Sequence, residues 1–399
     1  MVETAAVKAG SSASDAATVS SAAAWKPGFL PALEGLRAVA SLGIIGTHVA
    51  FQTGHDTGAL WERVLGRFDF FVAVFFTLSG FLLWRSHRVG FGAKNSRSGV
   101  ATYYRKRAAR ILPAYWVLIL IVLMALPVGA GADLKAWLAN LTLTQVFVPD
   151  SLHGGLTHLW SLSVEVAFYI ALPVIAVALQ RIDPASKQFQ RIGVICALAV
   201  LSFGWAWLPL PYLDGVNPHI QPAAYFSWFA AGLVLAELES LAGASSARAR
   251  AVHRGLQKWA RRRWLWLSIA TVALIVAALL GPEGLVQLSN WEFLRRLWCG
   301  LVFGACIIGP WALAPESRAL NHPVMQALGR WSYGIFLWHM AMLSVAFPLL
   351  GIPLFDGHLL AITLTTVALA IPMAAASYAL VEEPARRWLG KNWVRREAS

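Results

Sequence analysis

Arg37 and His48 stand eleven residues apart in the apolar stretch 33–48. Eleven helical steps of about 100° end roughly 20° past three full turns, so on a helix the two side chains share one face about 16 Å apart along the axis. Such a helix holds a guanidinium at one membrane edge and, well inside, an imidazole, the side chain best suited to take a proton near neutral pH. Ser41 lies on the stripe between them.

Four further clusters carry polar groups with chemical potential. Phe75-Phe76-Thr77-Leu78-Ser79-Gly80-Phe81 places a hydroxyl beside a glycine, where a neighbouring backbone or a substrate chain can come close. Arg105-Lys106-Arg107-Ala108-Ala109-Arg110 sets Arg107 and Arg110 three apart on one helix face, two planar forks suited to a phosphate. A basic anchor at a membrane edge would also explain that run. Trp160-Ser161-Leu162-Ser163-Val164-Glu165 carries a carboxylate one to two turns into an apolar helix, where it must face the interior and have a partner. Trp331-Ser332-Tyr333 opens a stretch that brings His339 to mid-membrane depth, where a packed hydrogen-bonding role is the alternative to a chemical one. Asp69 is the remaining acid within reach of His48's depth.

The elements that position these groups are set by composition. Of the 399 residues 58% are hydrophobic and 13% charged, with a mean hydropathy of +0.59, too apolar for a soluble globule. The reading is an all-α polytopic membrane protein of ten spans, near 36–53, 68–84, 111–127, 160–179, 192–209, 222–240, 264–281, 293–313, 331–350 and 358–380. An eleventh segment, 134–149, is short and interrupted by Asn140, Thr142, Thr144 and Gln145, which marks it as re-entrant or interfacial. If it crossed, the run Arg248, Arg250, Arg254, Lys258, Arg261, Arg262 and Arg263 would lie outside; without it, both termini and most of the 33 Lys and Arg lie on the cytoplasmic side. The net charge of +13 therefore reads as membrane topology, and no nucleic-acid partner is called for.

Three domains are expected: a disordered cytoplasmic lead 1–28, a membrane domain 29–385 and a basic cytoplasmic tail 386–399. The loop 241–263 reads as an amphipathic basic helix on an anionic leaflet or as a topology anchor. Cys196, Cys299 and Cys306 sit in apolar runs without zinc-type spacing, so neither a metal site nor a disulfide framework is expected.

The motifs, taken in order, resemble the acyltransferase-3 family of integral-membrane O-acyltransferases. The resemblance rests on Arg37 to His48, the Ser-Gly-Phe at 79–81, Arg107 and Arg110, the Trp-Ser-Leu-x-x-Glu-x-x-Phe-Tyr from Trp160 to Tyr169, and the Tyr-x-x-x-Leu-Trp-His from Tyr333 to His339. It spans roughly residues 30–390 and departs at two places, Ala73 where a polar residue is common and Val166-Ala167 after the glutamate. The chain resembles a membrane-only version of the family, without an appended esterase-like domain.

The resemblance implies an acyl donor, acyl-CoA and by default acetyl-CoA, and a hydroxyl acceptor such as an envelope glycolipid, a glycan or a macrolide. Arg37, Arg107, Arg110, Ser41 and Ser79 would then hold the donor. His48 would act as base with Glu165 or Asp69 orienting it, and His339, Trp160 and Tyr333 would be secondary. A bacterial inner-membrane location follows. A proton-coupled carrier or lipid flippase is the alternative that mid-membrane His and Glu would also serve.

Overall fold

A computed structural model describes residues 28–88, 96–184, 186–208, 215–281 and 288–388, the first three residues of the second stretch by backbone alone. The expected N-terminal lead up to residue 27 and the end of the basic tail beyond residue 388 lie outside these stretches. Every regular element among the described residues is helical. In chain order they are α1 Pro31–Gln52, α2 Leu60–Gly66, α3 Phe71–His87, α4 Ser96–Ala125, α5 Leu134–Leu141, α6 Trp160–Gln180, α7 Gln188–Ser202, α8 Phe226–Ser240, α9 Ala247–Ala260, α10 Arg263–Leu280, α11 Asn290–Leu313, α12 Pro323–Leu350 and α13 Leu359–Ser377.

Nine helical stretches among the described residues are long and apolar enough to cross a membrane, and α1 completes the ten expected. α1, which carries Glu34, Arg37 and His48, is not among those nine, but its 22 residues are long enough to span a bilayer and neighbouring helices cover it. It packs mainly on α12, with α3 and α13 beside it. The chain runs to and fro, so one end of the bundle gathers the Arg37 side of α1 and the other the His48 side.

Segment 134–149 does not cross. Asp133 caps α5 through the Ala136 amide at 2.7 Å, and the helix stops after eight residues. Its last carbonyls are taken up by α4, where Tyr115 donates to the Asn140 carbonyl and Trp116 Nε1 to the Leu141 carbonyl. The backbone of an irregular piece at membrane depth is thereby satisfied by protein. The loop 241–263 contains α9, which Ser246 caps; Ala249, His253 and Ala260 are buried, while Arg248, Arg254 and Lys258 are exposed. α9 is thus amphipathic and basic, which agrees with both readings of the loop, a helix on an anionic leaflet and a topology anchor.

Two interactions tie the Arg37 end together. Between α3 and α8 the backbones meet at glycine: a Cβ on Gly232 would fall 2.0 Å from the Thr77 carbonyl oxygen, and one on Gly80 2.3 Å from that of Phe229. Close approach of this kind gives apolar helices their packing contact where lipid is as apolar as they are. The second is a buried ion cluster. Glu237, fully buried, accepts from Arg191 Nε at 2.8 Å, Arg88 Nη2 at 3.0 Å and Trp84 Nε1 at 2.8 Å, while Arg85 forks onto Glu239 at 2.6 and 2.8 Å.

Removing one member of such a cluster leaves the others charged and buried, which costs about 3–5 kcal/mol. Glu237→Ala is therefore expected to lower the thermal unfolding midpoint in detergent sharply. A midpoint equal to wild type would show that the cluster does not hold α3, α7 and α8 together.

Candidate active site

At the Arg37 end a cavity of about 400 Å³ opens between α1, α3, α4 and α6. Arg37, Arg107 and Arg110 all line it, so the three-residue spacing of the last two does put both guanidiniums on one wall. Arg37 Nε donates to Ser332 Oγ at 3.1 Å, which fixes the guanidinium against α12. Arg107 lies over the Tyr169 ring at 5.9 Å, and its Nε is buried without a hydrogen bond among the described residues. Glu165 and Ser79 also face this cavity: Ser79 Oγ donates to Glu165 Oε1, and Tyr169 OH donates to the same oxygen at 2.5 Å. Tyr333 lines it too, its hydroxyl donating to the Ile111 carbonyl at 2.8 Å. A π-helical turn at Tyr378–Glu382, after α13, buries Glu382 within electrostatic reach of Arg110 and Arg37.

At the His48 end lies a larger cavity of about 740 Å³. His48 lines it, and its ring packs 5.1 Å from His339 and 6.4 Å from His158, centroid to centroid, while His158 and His339 are 4.7 Å apart. The tautomers of the two fully enclosed rings follow from their backbone partners. His339 Nδ1 is 2.7 Å from the Phe336 carbonyl and His158 Nε2 is 3.2 Å from the Leu337 carbonyl, so each of those nitrogens carries the hydrogen. The other nitrogens, His339 Nε2 and His158 Nδ1, have no hydrogen-bond partner among the described residues. Asp69 lines the same cavity and pairs with Arg296 at 2.5 Å. Trp160 lines it as well, its ring 5.1 Å from that of Tyr225.

Val72, Ser161 and Phe336 line both cavities and form the partition between them. The Phe336 ring meets His158 edge-on at 5.2 Å, so the imidazole cluster sits directly behind the partition.

Several expectations change. Glu165 is not the partner of His48: although the two lie at similar depth along their helices, the carboxylate turns into the Arg37-side cavity and is held there by Ser79 and Tyr169. Ser41 is fully buried and returns its hydroxyl to the Ala38 carbonyl at 2.9 Å, so it lines neither cavity. Ser79 and Gly80 divide the two roles offered for their pair, Ser79 facing the cavity and Gly80 packing on α8. His339 lies with His48 rather than apart from it. His158 and Arg296 were not singled out from the sequence; the signal for His158 was its place two residues before Trp160, at the mouth of a span that already carried a motif. Among the described residues no group of His, Cys, Asp or Glu has the arrangement to hold a metal ion.

The described residues thus form an all-α membrane bundle in which a cavity lined by Arg37, Arg107 and Arg110 backs onto one lined by His48 and His158. The chain belongs to the acyltransferase-3 family, whose acyltransferase domain matches residues 30–380. It is similar to the acyltransferase MdmB of Streptomyces mycarofaciens, 26% identical over 390 residues that cover 91% of this chain and 93% of that protein. The peptidoglycan O-acetyltransferase OatA of Listeria monocytogenes is 22% identical over 377 residues, 90% of this chain but 56% of its own length, so this chain spans about half of that relative. Nodulation protein 10 of Rhizobium leguminosarum bv. viciae is 26% identical over 344 residues, 79% of this chain and 82% of its own. No solved structure matches the chain.

If His48 is the base of an acyl transfer, its two neighbours act by holding its ring. His48→Ala is expected to cut turnover by at least about 10²-fold. His158→Ala, which frees the ring to shift, should cost up to roughly 10²-fold in kcat while leaving KM for the donor and the folded yield near wild type. Turnover of His48→Ala above about a tenth of wild type would remove His48 from this role.

Proposed function

We propose that this membrane acyltransferase moves an acyl group, acetyl by default, from acyl-CoA at the Arg37 end to a hydroxyl of an envelope glycolipid or glycan at the His48 end. The observation that supports the reading is the pair of cavities set end to end, Arg37, Arg107 and Arg110 lining one, His48 and His158 lining the other beside Arg63, Arg67 and Arg296, with Val72, Ser161 and Phe336 shared between them. Family membership favours chemistry over a carrier.

The Arg37 end is assigned to the cytosol because it carries Arg105, Lys106 and the basic face of α9, the pattern that holds a loop inside. Acyl-CoA is cytosolic and polyanionic. Its phosphates would meet Arg107 and Arg110, whose planar forks suit bidentate contact, and Arg37 would stand deeper along the path of the pantetheine arm. Glu165, Ser79 and Tyr169 form a hydrogen-bonded rim along that path rather than a part of the base. The thioester would reach the partition at Phe336 and Ser161.

On the far side His48 takes the proton of the acceptor hydroxyl as its oxygen attacks the thioester carbonyl. The carbon–oxygen bond forms, the carbon–sulfur bond breaks, and the departing CoA sulfur receives the proton. Asp69 and Arg296, paired on the same wall, offer one acid and one cation to position the acceptor.

Arg107→Ala or Arg110→Ala removes charge-assisted hydrogen bonds worth about 1.5–3 kcal/mol, so KM for acetyl-CoA should rise about tenfold or more. Dephospho-CoA thioester, which lacks the 3′-phosphate, should show a smaller penalty. Identical treatment of the two donors by wild type and variants would leave these arginines as topology anchors.

A further inference from the structure

A third cavity, of about 380 Å³, opens sideways between α10 and α11 at the His48 end of the bundle. Its walls are apolar, formed by Phe70, Val276, Leu280, Trp291, Leu294 and Trp298. Val276, Leu280, Trp291 and Trp298 are 37%, 55%, 66% and 48% exposed, on helices long and apolar enough to cross a membrane. Trp207 and Trp291 meet edge-on at 5.1 Å, the aromatic pairing common at a membrane–water interface. On the topology proposed above, the slot opens to the outer part of the bilayer.

Its inner wall is shared. Arg67 and Arg296 line both this slot and the His48 cavity, so a molecule lying in the slot reaches the wall that His48 faces. Arg295 also lines it and is exposed, so the lining holds three guanidiniums and one carboxylate, Glu292, with Asp69 behind it paired to Arg296. The Glu292 carboxylate is engaged at home, accepting from the Ser289 amide and hydroxyl at 2.8 and 2.7 Å. Arg63 and Arg67 have a structural part as well, since Arg63 donates to the Leu279 carbonyl at 3.3 Å and the Arg67 guanidinium packs on Gly281 at the end of α10. Arg296, beyond its contact with Asp69, keeps a buried Nε without a partner among the described residues. An apolar slot open to lipid with a cationic inner end fits a hydrocarbon chain that carries an acidic headgroup.

We propose that the acceptor is an anionic amphiphile whose hydrocarbon tail lies between α10 and α11 and whose acidic headgroup meets Arg295 and Arg296, with its hydroxyl turned to His48. This rests on the transferase reading above and narrows its acceptor class. A water-soluble glycan would instead come through the open mouth of the His48 cavity and have no use for the slot.

The test uses the full chain in nanodiscs with radiolabelled acetyl-CoA, supplied in one reaction with a chloroform–methanol extract of the source membranes and in another with the water-soluble glycan fraction. Labelled ester that depends on His48, partitions into the organic phase and binds an anion exchanger is expected. Val276→Trp and Leu280→Trp, on the lipid-facing side of α10, should each lower that label at least about tenfold, because burial lost by about two methylenes already accounts for that factor. Arg295→Glu should do the same, and slow hydrolysis of acetyl-CoA without acceptor should be unchanged in all three. Label confined to a water-soluble or an uncharged product, or slot variants that transfer at the wild-type rate, would overturn the proposal. No His48-dependent ester in either reaction would mean that the transferase reading fails, and this proposal with it.

Discussion

The pairing of α1 with α12 is the contact on which the rest of the bundle depends. A Cβ on Gly329 would lie 2.2 Å from the Glu34 carbonyl oxygen, and one on Gly35 would lie 2.4 Å from that of Leu320. Gly329 on α12 therefore lies directly against the α1 backbone, and Gly35 on α1 against the turn that leads into α12. Gln326 pins the same end by donating to the Pro31 and Leu320 carbonyls at 2.9 and 2.7 Å, and Arg37 reaches Ser332 one turn further on. Between helices in lipid there is little hydrophobic drive, so close van der Waals contact and hydrogen bonds must supply the attraction. Once the two axes are fixed at this end, His48, about one turn from the end of α1, and His339, near the middle of α12, come to face one another at 5.1 Å.

Polar groups inside the bundle then fall into two kinds, distinguished by whether protein alone satisfies them. Arg191 donates to Glu237 and to the carbonyls of Leu179, Ile182 and Arg88, so its guanidinium has a partner at every nitrogen. Such a group is structural, and its removal is felt as lost stability. Arg107 Nε, Arg296 Nε, Asp69 Oδ1 and the lone-pair nitrogens of His158 and His339 are buried without a hydrogen-bond partner among the described residues. Native interiors seldom leave such atoms unmet, and a cluster of them beside a cavity marks where a ligand or ordered water belongs.

What the sequence made legible was everything set by periodicity along one helix. The shared face of Arg37 and His48, the paired forks of Arg107 and Arg110, the count of spans and the failure of 134–149 to cross all depend on local spacing and length. The azimuth of one helix against another does not. Glu165 and His48 fall at similar depth, and depth alone made them partners; the rotation of α6, fixed by Phe168 stacking on Phe229 at 4.1 Å, turns the carboxylate to the other cavity. Ser41 failed for the same reason, as a residue on the right stripe that faces a packed neighbour. His158 was passed over for a different one. It sits in the short turn Thr157–Leu159 ahead of α6, outside the apolar run by which that span was recognised.

The partition between the cavities sets a condition that the proposed reaction meets. A path through a membrane protein that was open from end to end would leak protons and ions, so the two cavities have to stay separated when empty. Val72 and Phe336 provide an apolar barrier there, and Ser161 donates its hydroxyl hydrogen to the His158 carbonyl at 3.0 Å. Chemistry at this wall requires only the small acyl end of the donor to pass. The phosphates can stay among the arginines on one side while the hydroxyl waits among the imidazoles on the other. A base further from the partition would need a wider opening for the same transfer. The packing of Phe336 on His158, and of His158 on His339, places the imidazole cluster directly behind the partition, where the proposed transfer needs its base.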